Sequence, residues 1–443
     1  MKQKDGDCMK ASAYPRHFWS ALVIFSLVGQ VAWVVENMYL NVFIYKMFQA
    51  SPAAISAMVS ASAVAAALTT ILIGALSDKL GRRRVFICGG YVLWGITIAA
   101  FALVRADVIG AAIPTGVSVA AVGVTLVIVL DCLMTFFGSS ANDAAFNAWL
   151  TDATAGSGRG AAEGINAMMP LVAILVVFGG FMAFDLDNPD SWTAIFLIIG
   201  AAVLVIGVLG FFLVHETGER REENGCYFRN IFYGFRASVI RKNPVLYLTL
   251  AAFAVFGISI QIFMPYLILY YNVSLGMDDY VLIMAPAILL AAVVTALYGR
   301  LYDKLGFSRS VVPSLLMLCV GYVVLYFFRD TVLVFVGSLL MMCGYLTGMA
   351  VFGAMIRDYT PEGKAGMFQG LRIVGQVLIP GVIGPAVGAW VLRNAETIVN
   401  DDGTRSFVPN ADIFLAALVA AVCLLPVLIV IFKLLRRKSE ETV

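Results

Sequence analysis

Charge is scarce in this chain. Asp, Glu, Lys and Arg make up 13% of its 443 residues, about half the share of a soluble domain. Only two histidines occur, His17 and His215; both fall at the edges of apolar runs and read as solvated groups. The seven cysteines show no metal-ligand spacing, and Cys88, Cys132, Cys319, Cys343 and Cys423 lie inside apolar runs as buried free thiols. There is no Walker loop, so ATP does not drive this chain directly. No Gly-x-Ser-x-Gly elbow is present. These absences argue against an enzyme and against a resident metal, cofactor or nucleic-acid partner.

Apolar residues, in contrast, make up 61% of the chain, and the mean hydropathy is +0.91. A soluble fold would expose an apolar surface of intolerable size. The solvent is therefore lipid, and the spanning elements must be helices or a closed barrel. The runs reach about 20 residues without strict alternation, which selects helices. The first 17 residues are polar and basic, and the run after Phe18 is too long for a signal-peptide core, so it reads as a span. Twelve spans are predicted, near 18–45, 52–76, 85–104, 118–148, 165–185, 192–214, 244–271, 280–299, 311–328, 331–355, 366–392 and 411–433. The expected domains are a tail at 1–17, a six-helix bundle at 18–214, a polar link at 215–243, a second bundle at 244–433 and a tail at 434–443.

One signature occurs twice. Gly74-Ala-Leu76-Ser-Asp78-Lys79-Leu80-Gly81-Arg82-Arg83-Arg84 returns 225 residues later as Gly299-Arg-Leu301-Tyr-Asp303-Lys304-Leu305-Gly306-Phe-Ser-Arg309, with seven identities. A weaker echo links Asp152-Ala-Thr154 with Arg159 to Asp358-Tyr-Thr360 with Lys364. Each copy occupies the same place in its half, so the chain is a duplicated bundle of six plus six. With the N-terminus in the cytoplasm, 24 Lys and Arg face that side and five face the other. Both termini are therefore expected inside, in the plasma or inner membrane.

An ionised side chain at mid-bilayer costs about 3 kcal/mol on insertion scales, so each is a functional candidate. The third, sixth, ninth and twelfth spans carry none in their interiors and can face lipid. The charges gather on the first span (Glu36), the fourth (Asp131, Asp143), the start of the fifth (Glu163) and the eleventh (Arg372). Gln30, Trp33, Asn37 and Asn41 share a helical stripe beside Glu36. Asp131, Thr135, Gly138 and Asn142 share another beside Asp143, and Gln369, Arg372 and Gln376 a third. Such faces cannot point at lipid; they are expected to line a shared wet cavity, with Gln261 beside Pro265 as a further contributor. The alternative is helix-to-helix bonding, with an acid paired to Arg372. Trp33 is expected to pack rather than to stack on a sugar ring, and Trp19, Trp192 and Trp390 to sit at the membrane interface.

In the repeated loop the glycines permit a tight turn, and Asp78 is placed to bond Arg82 or Arg84 or a neighbouring helix N-terminus. Bonds of this kind that join the two halves would make the loop a latch, with Asp303 and Arg309, Asp152 and Arg159, and Asp358 as its other members.

This loop, its echo, the six-plus-six count and the long central link resemble the major facilitator superfamily. That resemblance implies two six-helix bundles rocking about a midplane site. Within it, Asn142-Asp143-Ala-Ala-Phe146-Asn-Ala148, Asp152 with Arg159, and Asp358-Tyr-Thr360-Pro361-Glu-Gly-Lys364 resemble the glycoside–pentoside–hexuronide:cation symporters. In that family an acid and a small-aromatic segment at this place bind sugar. The family's first-span acid falls on Gln30 here, its sodium-holding pair on Ala66 and Thr70, and its eleventh-span lysine has no match. The resemblance therefore implies a sugar or glycoside symporter driven by protons rather than sodium, a monomer in the bilayer. Asp143, Asn142, Asn37 and Gln30 would bond hydroxyls, Glu36 or Asp143 would carry the proton, and Arg372 would hold an acid's charge or a substrate carboxylate. The alternatives are a proton-coupled exporter, whose Gly-Pro-x-x-Gly element occurs here in the eleventh span as Gly384-Pro385-Ala-Val-Gly388, and a lysolipid transporter.

Overall fold

The computed structural model describes residues 16–154, 159–215, 232–361, 365–400 and 403–440. Eleven helical segments among them are long and apolar enough to cross a membrane. One of these, Tyr280–Phe327, has 48 residues, about 72 Å of helix and more than twice the hydrocarbon thickness. It breaks at Gly306, where φ is 71° and ψ 178°. Tyr298 donates a hydrogen bond to the carbonyl of Ser310 at 2.9 Å; residues twelve apart in a straight helix would be about 18 Å apart. The chain therefore reverses at Gly306 and makes two crossings, the eighth and ninth of twelve.

Gly81, the matching residue of the first copy, also takes a left-handed conformation, with φ 61°. A residue with a Cβ resists this region. The repeat thus places a positive-φ glycine at the reversal in both halves, with ψ 21° at Gly81 and 178° at Gly306, which is why this glycine recurs.

The first span is His17–Phe48, the second Pro52–Gly74, the third Arg83–Leu103, the fourth Val119–Ala153, the fifth Gly164–Phe181 and the sixth Pro189–Leu213. The seventh is Pro244–Ser274, the tenth Thr331–Tyr359, the eleventh Gly370–Asn394 and the twelfth Asp412–Arg437. The second, fourth, sixth and tenth helices start with side-chain caps from Ser51, Ser118, Asn188 and Asp330, which satisfy orphan amide groups. The last helix runs to Glu440, past the predicted end. The side on which the first span begins and the twelfth ends is called the terminal side below, and the other the far side.

The spans that meet at the centre are not regular. The first contains a π-helical stretch at Val35–Tyr39, the fourth at Ser139–Phe146, the seventh at Tyr270–Ser274 and the eleventh at Val374–Leu378. Such widened turns recur at functional sites, and hydropathy cannot reveal them. The 393–410 link also differs from its polar-loop reading: it holds a two-stranded antiparallel hairpin, Thr397–Val399 with Arg405–Phe407. Trp192 is a core residue, 1% exposed, packed on Phe43 and Phe196, and not an interface anchor. Trp390 is 62% exposed with Arg393 over its ring.

The halves meet chiefly at the far side. Tyr280 donates to Tyr39 at 3.0 Å, Tyr266 to the carbonyl of Pro52 at 3.0 Å, and Tyr45 to the carbonyl of Phe407 in the hairpin at 2.6 Å. These hydrogen bonds join the two halves. Midway along, the second span approaches the eleventh so closely that a Cβ on Gly381 would stand 2.5 Å from that of Ala63. On the terminal side no hydrogen bond joins the halves among the described residues.

Candidate functional site

Glu36 sits in the π-helical turn of the first span and is 6% exposed. Ser62 of the second span and Thr135 of the fourth each donate to its Oε1 at 2.8 Å. The two hydroxyl oxygens are themselves 2.8 Å apart. Three short oxygen–oxygen edges are thus served by two hydroxyl protons. Glu36 Oε2 is buried without a partner among the described residues. Asp131 lies one turn before Thr135 on the same helix and is 1% exposed, and its Oδ1 also has no partner among the described residues. Ser62 escaped the sequence reading because serines are common in this apolar span and only the second span's packing aims this one at Glu36.

Asp143 stands twelve residues beyond Asp131, about 18 Å nearer the terminal side. It lies in the second π-helical stretch and accepts a hydrogen bond from Ser139 at 3.0 Å. Its neighbour Asn142 is buried, with Oδ1 3.4 Å from the hydroxyl of Tyr91, which donates to the carbonyl of Phe25 at 2.7 Å. This approach depends on Gly29, where a Cβ would stand 2.5 Å from the Tyr91 oxygen. Ser26 donates to Asn166 of the fifth span at 2.5 Å, a further pairing without a sequence signal.

The remaining stripe residues are more dispersed. Asn37 is exposed and donates to the carbonyl of Trp33 at 2.8 Å, and Asn41 donates to the carbonyl of Asn37 at 2.9 Å. Gln30 and Gln376 are half-buried. Trp33 packs against Trp94, ring centres 5.1 Å apart, which is the packing role. Gly384 and Gly388 bring the eleventh span against Gln261, Ile262 and Tyr266, so that element serves helix packing here. The side chains of Glu163, Gln369, Arg159 and Asp78 lie outside the described residues.

Arg372 is half-buried, and its Nε has no hydrogen-bond partner among the described residues. No acid among them pairs with it.

The loop contacts run within each half. The residue of the triplet that carries them is Arg83: its Nε bonds Asp152 Oδ2 at 2.8 Å, and its Nη1 bonds Ser77 Oγ at 3.1 Å. Arg84 turns to the carbonyl of Phe211, and Arg82 is exposed. In the second half Tyr302 donates to Asp358 at 2.6 Å, while Asp303 and Arg309 are exposed. Ser77 and Tyr302 hold the same place in the repeat, just before its aspartate. Each half thus carries a brace of its own beside this turn.

The sequence model of the Major Facilitator Superfamily matches residues 19–345 and 287–443. The chain belongs to this superfamily. It is a multi-pass membrane transporter and not an enzyme. Its fold is similar to a mutant form of the nucleoside transporter NupG, with a TM-score of 0.73, 13% identity, and 93% of this chain and 99% of that one covered. It is similar to a bacterial homolog of the human lysosomal transporter Spinster in an inward-facing, unoccupied conformation, with a TM-score of 0.63, 15% identity, and coverage of 94% and 95%. It is also similar to the xylose transporter XylE from E. coli in a partially occluded inward-open conformation, with a TM-score of 0.65, 14% identity, and coverage of 94% and 97%. No curated protein matches the chain in sequence.

Proposed function

We propose that this superfamily member imports a sugar or glycoside together with a proton by alternating access. The observation that carries the reading is the buried carboxyl of Glu36, hydroxyl-bonded by Ser62 and Thr135. A permanent charge there would be costly in the membrane, and Oε2 is free to take a proton. A proton bound at Glu36 would neutralise the group as the two halves rock about it. Asn142, Asp143 and Asn37 offer amide and carboxyl groups of the kind that bond sugar hydroxyls, and the xylose and nucleoside carriers with similar folds handle solutes bearing such hydroxyls. The lysine and arginine distribution supports a cytoplasmic terminal side. The far-side tyrosine bonds would then close the site to the outside. The likeness of the Asn142–Ala148 segment to glycoside–pentoside–hexuronide symporters supports a glycoside as solute. Uptake of a panel of labelled sugars and glycosides into proteoliposomes, under an imposed proton or sodium gradient, tests this. Proton-driven accumulation is expected; sodium-driven accumulation, or none under either gradient, would overturn it.

A further inference from the structure

The two histidines of the chain, His17 and His215, are 198 residues apart in sequence. His17 opens the first span, and His215 follows the sixth. The fold brings their rings together on the terminal side, with centres 4.5 Å apart and planes tilted by 43°. Packing below the pair explains the meeting. Gly210 leaves no room for a Cβ beside Phe25, so the first and sixth spans approach closely there. Trp149 of the fourth span steadies both ligands' surroundings. Its Nε1 donates to the carbonyl of His215 at 3.0 Å, and its ring centre lies 5.4 Å from that of Phe18. Both histidines are nonetheless exposed, so ions in solution can reach them.

A backbone contact sets the chemistry of the pair. His215 Nδ1 stands 3.2 Å from the carbonyl oxygen of Leu213. A carbonyl only accepts, so in the neutral ring Nδ1 carries the proton and Nε2 keeps the lone pair. A backbone bond on the other nitrogen is the arrangement that orients metal-ligating imidazoles. The spacing fits as well. An ion about 2.1 Å from a ring nitrogen is about 3.2 Å from the ring centre, so two rings sharing it at angles of about 90–110° have centres about 4.5–5.2 Å apart.

We propose that His17 and His215 chelate one divalent transition-metal ion, of the Zn²⁺, Ni²⁺ or Cu²⁺ class, which clips the start of the first span to the end of the sixth. Imidazole nitrogen selects these ions over Mg²⁺ and Ca²⁺, which take oxygen ligands. No third His, Cys, Asp or Glu completes a cluster among the described residues. Water therefore fills the open positions, and the ion is an exchangeable ligand, not a resident cofactor. Both histidines belong to the N-terminal half, and His215 begins the link to the other half, so the ion fixes where that link departs.

The test is metal titration of the full-length, tag-free protein in mild detergent, read by calorimetry and thermal unfolding, with Cu²⁺ as a spectroscopic probe. Zn²⁺ should bind at a single site per chain and raise the unfolding temperature; Mg²⁺ should do neither. Electron paramagnetic resonance of bound Cu²⁺ should report two imidazole nitrogens. His17→Phe keeps a ring against His215 but offers no lone pair, and His215→Gln keeps a polar group at an exposed position. Each should weaken Zn²⁺ binding by about tenfold or more and leave one imidazole on Cu²⁺. Zn²⁺ binding unchanged by either substitution, no saturable Zn²⁺ binding, or fewer than two imidazoles on Cu²⁺ in the unsubstituted protein would overturn the proposal and leave the ring pair a packing contact.

Discussion

In the N-terminal half the turn after the second span is braced by Arg83, which bonds Asp152 and Ser77. In the C-terminal half the matching turn is braced by Tyr302, which bonds Asp358. The backbone requirement is the same, a left-handed glycine at Gly81 and at Gly306, and so is the acid that receives the bond. The donor has changed from a guanidinium to a phenol. The same divergence runs through the spans. The N-terminal half holds the membrane carboxyls Glu36, Asp131 and Asp143, whereas the C-terminal half holds Arg372. Duplication has kept what chain geometry demands and released the polar content, so that one half offers proton and hydroxyl chemistry and the other a positive charge.

The largest effect should come from the acidic half. Glu36→Gln keeps the shape and the hydroxyl contacts but cannot exchange a proton. Gradient-driven uptake should fall to background in proteoliposomes while expression and folding persist; uptake at the wild-type rate would remove Glu36 from coupling and level the two halves.

The braces come next. Asp152→Asn leaves Arg83 with a weakened partner in a largely buried place, its side chain 12% exposed, and should cost about 2 kcal/mol of stability. Tyr302→Phe removes a hydrogen bond at a more exposed site and should cost about 1 kcal/mol. Unfolding of the purified variants in mild detergent ranks them, and a reversed order would mean that the phenol brace is the stronger.

A smaller effect is expected at the far side. Tyr45→Phe removes the bond to Phe407 and leaves the ring packing. Losing about 1 kcal/mol of far-side closure shifts the balance of conformations about fivefold. Reaction of a cysteine placed at Ala63 with a reagent added from the far side should rise by about that factor; an unchanged rate would show that the hairpin is not part of the seal.

The least effect belongs to Asp107, outside the spans. Its hydrogen bond from Arg105 holds it below the usual carboxylate range. A lowered value stabilises the fold above the ordinary carboxylate value, near 4, and that contribution is lost only as pH falls through the lowered one. Asp107→Asn should therefore leave the pH profile of uptake between about 5 and 8 unchanged. A changed profile would move part of the pH response out of the buried acids.

The duplication was legible because identity at a fixed offset survives any packing, and Gly81 and Gly306 were both kept where the backbone takes a positive φ. Membrane helices were legible because lipid admits little else. The charged candidates stood out against an apolar background, so Glu36, Asp131, Asp143 and Arg372 could be singled out one by one. Their partners could not. Ser62, Ser26 and Asn166 are ordinary residues until neighbouring helices aim them, and the Arg83 and Tyr302 braces depend on which side chain the turn presents.

By itself, then, the sequence determined the solvent, the number of crossings, the two-fold repeat and the stock of membrane charges, because each follows from local composition or from a period along the chain. Tertiary structure alone decided that Glu36 shares two hydroxyls with the second and fourth spans, that Asp131 and Asp143 sit at different depths, that a hairpin closes on Tyr45, and that Arg372 has no acid beside it among the described residues. These depend on helix rotation and on the widened π turns, which shift a side chain around its helix without leaving a mark in hydropathy.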